Sequence, residues 1–378
     1  MRSRSKIRNV IKGVAALLAL AAVFFGFNSL SAAYSFNPQY AENQSRIAAF
    51  EKQEKDSVDV VLFGTSAMRA WLSPWAYKWY GIRAFGLQTD AQPFAAAQAL
   101  LEGAVLRNQS PVLAVIDLTA SVKYISSVEG LHLRYIVEGL DFADRITFLQ
   151  RVYPAYKSAE KVGNVDVFSY LFPFLYEHNH YQNFSTGKDY YEAYLNTFKG
   201  TFRAPYTDTS ELAKPDVSSF SPEEPDPESL AVLDDLLDFC DGHPEMQFLF
   251  ILTPKGGERK EFDGGFGDYE TEMSHDLWVM EHVRERGYTV LDFNTDELLE
   301  AVGIDFGADF KDNRHLNIYG TLKFTNWLSE YIVENYELPD RSADETESWD
   351  KAYIGYMQIL SEKRIAYENY VPQADKKE

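Results

Sequence analysis

The segment from Val60 to Ser66 reads VVLFGTS, and it predicts both the fold class and a candidate functional residue. An unbroken run of β-branched and large apolar residues is typical of a strand buried in a parallel sheet. The Gly-Thr-Ser that follows places a hydroxyl at the carboxyl end of this strand, where open α/β sheets form their ligand crevices. The segment therefore predicts an α/β fold in which Ser66 is a candidate nucleophile.

On both sides of this segment, strand and helix patterns alternate along the chain. The expected strands are Val58–Phe63, 83–85, Val112–Leu118, Gln247–Thr253 and Thr289–Phe293. The expected helices between and after them are Pro93–Leu106, Glu228–Cys240, Tyr269–Arg286, Asp296–Val302 and Asn317–Tyr331. Alternation at this spacing predicts a parallel sheet with helices on both faces, in three layers.

A second polar motif precedes the helix that closes the α/β pattern. Residues 312–315 read DNRH, so Asp312 and His315 lie three positions apart on a loop. Such a pair can hold the imidazole beside a serine and fix its tautomer. The Gly-x-Ser motif and the Asp-x-x-His motif are each common alone. Their occurrence together, at the two ends of one α/β pattern, is much rarer. We expect Ser66 as nucleophile, His315 as base and Asp312 as the carboxylate that orients it.

With these motifs the chain resembles the SGNH/GDSL hydrolase superfamily, over roughly Val58 to Ile332. More narrowly it is similar to the membrane-anchored cell-envelope branch, which includes alginate and peptidoglycan O-acetyltransferase-like proteins and the D-alanyl-lipoteichoic acid transfer protein. The resemblance assigns the same roles to Ser66, His315 and Asp312. Residues 84–93, AFGLQTDAQP, match the second block of the family. This match implies that backbone N–H groups from Gly86 to Gln88 help to form an oxyanion hole.

Two positions depart from the family pattern. Thr65 stands where the family usually has Asp, a change that the envelope branch tolerates. The third block, residues 115–119, reads VIDLT and lacks the Asn that donates to the oxyanion. Loss of one such donor costs about 2.7 to 4 kcal/mol of transition-state stabilisation. Either another Asn substitutes, or the reaction is slow, specialised or dependent on a partner.

Lys255 is a further candidate, because it follows the strand Gln247–Thr253 at the crevice end of the predicted sheet. Its ammonium could contact a substrate oxygen or a leaving group. The alternative, a solvated loop lysine, has equal weight. His178 and His180 lie two positions apart and would not share a helix face, which argues against a metal site. We expect no metal and no cofactor.

Composition excludes several classes of function. The chain has 378 residues, 46% of them hydrophobic, and a formal net charge of −21. This acidic balance argues against nucleic acid as a partner, because phosphate binding needs clustered Lys and Arg. Cys240 is the only cysteine, which excludes an internal disulfide. Its position on a predicted helix face favours a buried, unreactive thiol.

The amino-terminal segment predicts a membrane helix. Five basic residues lie within residues 1–12, residues 13–33 are apolar or weakly polar, and the next charged residue is Glu42. This pattern predicts a signal anchor, or a signal peptide cleaved near Ser31-Ala32-Ala33. The basic flank predicts a cytoplasmic amino end and an extracytoplasmic body, single-pass at the cell membrane or secreted after cleavage. Residues 34–55 are expected to form a stalk.

Two segments do not follow the α/β pattern. Residues 120–222 are rich in Tyr and Phe and predict a helical insertion within the domain 56–335. Its aromatic residues could form the core of a cap beside the site, or a groove that stacks on sugar rings. Residues 336–378 predict an accessory amphipathic helix that packs on the body or binds a partner.

These observations lead to one functional expectation and two alternatives. The resemblance implies an exported serine esterase or O-acyltransferase that acts on an acylated cell-surface glycan or related envelope polymer. It also implies, for the transferase, a membrane-bound O-acyltransferase as partner. The first alternative is a non-catalytic envelope protein that binds glycan or assists assembly. A peptidase with the same three residues is the second, but it does not explain the block at 84–93.

Overall fold

The computed structural model describes residues 2–33, 41–119, 130–158, 167–202, 205–215, 220–257, 269–341 and 343–372. Its strands are β1 Val60–Phe63, β2 Ala84–Gly86, β3 Leu113–Asp117, β4 Gln247–Leu252, β5 Thr289–Asp292, β6 Phe310–Asp312 and β7 His315–Leu316. Its first ten α-helices are α1 Arg2–Ala33, α2 Ala41–Phe50, α3 Ser73–Tyr80, α4 Phe94–Leu100, α5 Leu106–Asn108, α6 Gly130–Gly139, α7 Phe142–Ser158, α8 Val167–Leu171, α9 Phe174–Glu177 and α10 Phe184–Ala193. The remainder are α11 Pro227–Asp241, α12 Tyr269–Glu285, α13 Asp296–Val302, α14 Ile318–Asn335 and α15 Glu347–Glu362.

The main sheet has five strands in the order β2-β1-β3-β4-β5, and every neighbouring pair is parallel. Each strand lies within two residues of its expected position. The chain moves from β1 outward to β2 and then returns to the other side of β1 to form β3. This reversal is a topological switch point, and crevices form at the carboxyl ends of the two strands that flank it. Ser66 follows β1 directly.

Helices cover both faces of the sheet, which confirms the predicted layered α/β fold. Within β1, Val61 and Phe63 pack into one apolar cluster, whereas Val60 and Leu62 pack into another on the opposite face. The first cluster includes residues of α2, α4, α11 and α12, and the second includes the carboxyl half of α14. Burial on both faces explains why β1 reads as a continuous apolar run.

Helix α2 is part of the body, which contradicts the stalk expected for residues 34–55. Arg46 is 1% exposed, and its guanidinium donates to the carbonyl of Gln88 and to the hydroxyl of Tyr194. The ring of Phe50 packs edge-on against Phe85 of β2, with centroids 5.1 Å apart. The guanidinium of Arg46, which made this segment look solvated, therefore donates to groups inside the protein.

Helix α1 contains an apolar stretch, Lys6–Ser31, that is long enough to span a membrane, with a mean hydropathy of 2.3. The described part of residues 120–222 forms helices α6 to α10, as predicted for the insertion. Aromatic pairs join α1 to this region, among them Phe24–Phe172, Phe25–Phe142 and Phe27–Phe174, with centroids 5.3, 6.3 and 5.3 Å apart. The insertion thus contacts the apolar helix directly.

The carboxyl-terminal helix α15 packs back on the body. The rings of Trp349 and Tyr77 lie 5.5 Å apart, and Tyr356 meets Phe198 edge-on at 6.0 Å. Just before this helix, Arg341 donates to Asp59 at 2.6 and 3.0 Å. Of the two alternatives for this segment, the structure shows the packed one.

Candidate active site

A sharp turn at the end of β1 presents Ser66. Gly64 has φ +141°, and a Cβ at this position would lie 2.6 Å from the Cβ of Asp117 on β3. Only glycine combines this backbone conformation with so close an approach. The N–H of Gly64 donates to the side chain of Gln92 at 2.8 Å. Ser66 then begins a 3-10 helix, Ser66–Ala70.

The structure brings the three predicted residues into one line of hydrogen bonds. The Nε2 of His315 lies 2.8 Å from the Oγ of Ser66, and its Nδ1 lies 2.8 and 3.0 Å from the carboxylate oxygens of Asp312. Both contacts have normal hydrogen-bond lengths. With hydrogen on Nδ1, the imidazole donates to Asp312 and leaves Nε2 free to accept the serine proton.

The two antiparallel strands β6 and β7 hold this pair, because Asp312 and His315 face each other across them. The backbone N–H groups of Arg314 and His315 also donate to Asp312, at 2.9 and 3.0 Å. Burial opposes ionisation of Asp312, but the bonds and charge from His315, the Arg314 N–H and Lys311 outweigh it and hold its pKa below the usual value. The carboxylate is therefore charged when His315 takes up a proton.

The turn after β2 only partly matches its expected role. The N–H of Gly86 donates to the carbonyl of Lys199 at 3.3 Å, and that of Thr89 donates to the Gly64 carbonyl at 3.2 Å. Gly86 is thus occupied as a donor, contrary to expectation. Gln88 is buried, and its side-chain amide donates to the Gly200 carbonyl at 3.3 Å. Among the described residues, no protein acceptor is assigned to the Gln88 backbone N–H.

Lys255 does not occupy the expected position for a substrate contact. It is 1% exposed, and its ammonium donates to Asp276 and, at 3.2 Å, to Glu272. Burial disfavours the charge, but attraction from Asp276 and Glu272 outweighs this effect and raises the pKa of Lys255. The lysine therefore belongs to a buried ion cluster. Both of its carboxylate partners lie on α12, which is distant in sequence from the loop that carries Lys255.

Four residues near His315 were not singled out from the sequence: Arg69, Asp90, Phe202 and Tyr206. The ring of Tyr206 meets that of His315 edge-on at 5.6 Å. Arg69 donates to the Tyr206 hydroxyl, pairs with Asp90 and stacks on Phe202 at 3.7 Å. The sequence feature that could have identified Arg69 is its spacing from Ser66, because three residues correspond to one turn of a 3-10 helix.

Asp117 occupies the third-block position at the end of β3. Its Oδ1 accepts from the N–H and hydroxyl of Thr119, at 3.2 and 2.7 Å, and from the N–H of Thr253 at 3.3 Å. Complete burial nevertheless raises the pKa of Asp117 to about 6. A carboxyl group with this environment therefore lies beneath the Gly64 turn, within the segment 115–119 that contains no Asn.

Comparisons with known proteins add little beyond this geometry. No family model matches the chain, and no curated protein matches it. Among solved structures, the chain is similar to a gut microbial diltiazem-metabolizing enzyme, with 11% identity and a TM-score of 0.37. The match covers 74% of this chain and 47% of that one, so the chain spans about half the length of that enzyme. In the described part of the chain, no group of three or more His, Cys, Asp or Glu could hold a metal ion.

Proposed function

We propose that this protein is a serine acyl-ester enzyme of the SGNH/GDSL type. The observation that carries the proposal is the line of hydrogen bonds from Ser66 through His315 to Asp312. A hydroxyl, an imidazole and a carboxylate in this order are the elements of nucleophilic acyl transfer.

In the proposed reaction, the Oγ of Ser66 attacks the acyl carbonyl while the Nε2 of His315 takes its proton. Asp312 stabilises the imidazolium. Collapse of the tetrahedral intermediate breaks the ester bond, and His315 returns the proton to the leaving alcohol. An acyl group then remains on Ser66, and water or a sugar hydroxyl resolves it with His315 again acting as base.

The oxyanion would be held by backbone N–H groups of Ser66 and Gln88. Gly86 is left out because its N–H already donates to Lys199. Preorganised donors of this kind each contribute about 2.7 to 4 kcal/mol to the transition state. With Asp117 at the third-block position, the site has fewer side-chain donors than the family pattern, which favours a specialised reaction over a fast general esterase.

For the substrate, we infer an acylated glycan or related polymer of the cell envelope. The aromatic ring of Tyr206 and the ammonium of Lys311, which lies 3.7 Å above it, flank His315 and offer stacking and hydrogen bonding to a sugar. The five basic residues within the first turns of α1 favour an extracytoplasmic body held by this helix. A transferase would receive its acyl group from a membrane-bound O-acyltransferase.

The rival is a non-catalytic envelope protein, and the position of Asp117 is the observation that favours it. A fluorophosphonate probe separates the two. The full-length protein should react covalently, Ser66→Ala should not, and Ser110→Ala should react like the parent because Ser110 is exposed and bonds to Asp56. Labelling that persists in Ser66→Ala, or a folded parent that does not react, would contradict the enzyme proposal.

A further inference from the structure

Exposed apolar side chains are unevenly distributed over the described residues. Eighteen large hydrophobic residues are exposed: eleven on α1, two elsewhere on the body, and five on helices α7 to α9. The five are Phe142, Ile146, Phe168, Leu175 and Tyr176, which we call the insertion face; Phe168 is 69% exposed. Apolar side chains gathered in one region of a protein surface indicate a binding site for protein or lipid.

The insertion face is continuous with the apolar helix. Phe142 contacts Phe25, and Phe172 contacts both Phe24 and Phe25, with centroids 5.3 to 6.3 Å apart. Phe25 lies six residues before Ser31, the end of the apolar stretch. At 1.5 Å per residue this is about 9 Å along the helix axis. If α1 spans a membrane with its body-side boundary near Ser31, Phe142 and Phe172 lie below the surface of the bilayer.

Helical spacing places the exposed residues of the insertion face at a similar depth to Phe142 and Phe172. Ile146 follows Phe142 by four residues on α7, so the two share one helix face. Phe168 precedes Phe172 by one turn, because its carbonyl accepts the Phe172 N–H at 2.9 Å. Leu175 directly follows Phe174, which stacks on Phe27 at 5.3 Å. The exposed residues are thus immediate neighbours of those that contact α1.

We propose that the insertion face inserts into the acyl-chain boundary of the leaflet on the side of the body, with lipid as its occupant. The protein is then held by a spanning helix and by a second, monotopic contact. Tyr176 suits the edge of this contact, since its ring stacks on Arg134 at 3.8 Å and its hydroxyl can reach the headgroups. The inference rests on α1 as a membrane helix and does not depend on the chemistry at Ser66.

The test uses the full-length chain reconstituted at one copy per lipid nanodisc. The buried Cys240 is first changed to alanine. A single cysteine is then introduced at a chosen position and labelled with a polarity-sensitive fluorophore. Phe168→Cys reports on the insertion face. Ile354→Cys on α15 is the matched control, because Ile354 is 64% exposed and lies outside this face.

We expect lipids brominated on their acyl chains to quench the fluorescence of the probe at position 168. Iodide dissolved in the buffer should not quench this probe. The probe at position 354 should show the reverse pattern. Equal iodide quenching at both positions would overturn the proposal. Protection of position 168 from both quenchers would also overturn it, because the occupant would then be protein.

Discussion

The guanidinium of Arg314 binds both carboxylate oxygens of Glu272, at 2.8 and 2.7 Å, one residue before His315. Glu272 also accepts from Lys255, which pairs with Asp276 as well. The loop after β4 adds a backbone bond, from the N–H of Gly256 to the carbonyl of Asn313 at 3.0 Å. The segment that carries Asp312 and His315 is therefore fixed from α12 as well as by its own short strands.

Ser66→Ala and His315→Ala should each reduce turnover of a small acyl ester by about 10³- to 10⁶-fold, and Asp312→Ala by a smaller factor. The double variant of Ser66 and His315 should lose no more than either single one, because the two act as a unit. Steady-state kinetics with p-nitrophenyl acetate measure this, with circular dichroism as the check on folding. Parent-like activity in Ser66→Ala would rule out the mechanism.

Lys255→Met should destabilise the protein by about 3 to 5 kcal/mol, because it leaves buried carboxylates with one cation fewer. Lys351→Met is the control, since Lys351 forms an exposed ion pair with Glu347 on α15. Exposed pairs contribute about 0 to 1 kcal/mol. Denaturant unfolding compares the two variants. Similar losses of stability would mean that the cluster around Lys255 is not buried as the structure has it.

Asp117→Asn should change how stability depends on pH. Burial raises the pKa of Asp117 to about 6 in the folded protein, from the ordinary aspartate value of 3.8. Between these values the folded state binds more protons, so the free energy of unfolding falls as pH rises, by up to about 3 kcal/mol. The variant lacks this decline. Urea unfolding between pH 4 and 7 measures the difference, and parallel curves would contradict the prediction.

Gly64→Ala should be far more damaging than Gly81→Ala. Both glycines have positive φ, +141° and +72°, but a Cβ at Gly81 meets nothing within 4 Å, whereas one at Gly64 would clash with Asp117. The change at Gly81 should cost about 1 kcal/mol from backbone strain alone. Thermal unfolding and fluorophosphonate labelling compare them. Equal behaviour would show that the β1 turn relaxes easily away from β3.

A matching oligosaccharide should speed the release of nitrophenol from p-nitrophenyl acetate, with acetate appearing on the glycan. The reason is that holding the sugar hydroxyl beside the acyl-enzyme lowers the activation free energy of transfer by about 7 kcal/mol relative to a free reactant. Product analysis by mass spectrometry detects the transfer. Fast hydrolysis that no glycan affects would leave an esterase in place of the transferase.

Local patterns in the sequence were sufficient to predict the five strands of the main sheet and the three residues of the candidate site, but not β6 and β7, which carry Asp312 and His315 where a loop was expected. The run before Ser66 and the spacing of Asp312 and His315 each depend on neighbours in the chain. Lys255 and Gly86 depend on distant partners, Asp276 and Lys199, and no local pattern reveals these. The same holds for α2, whose polar residues resemble those of a solvated helix until their partners in the folded body are known.

The burial of α2 also sets the distance between the body and helix α1. A free stalk of residues 34–55 would extend to roughly 75 Å at 3.4 Å per residue. The structure removes this length, because Gln44 of α2 donates directly to the carbonyl of Ser31 at 2.7 Å. Helix α2, the described part of that segment together with residues 51–55, therefore lies against the end of α1. The distance between the candidate site and helix α1 is therefore set by packing rather than by the length of a free segment.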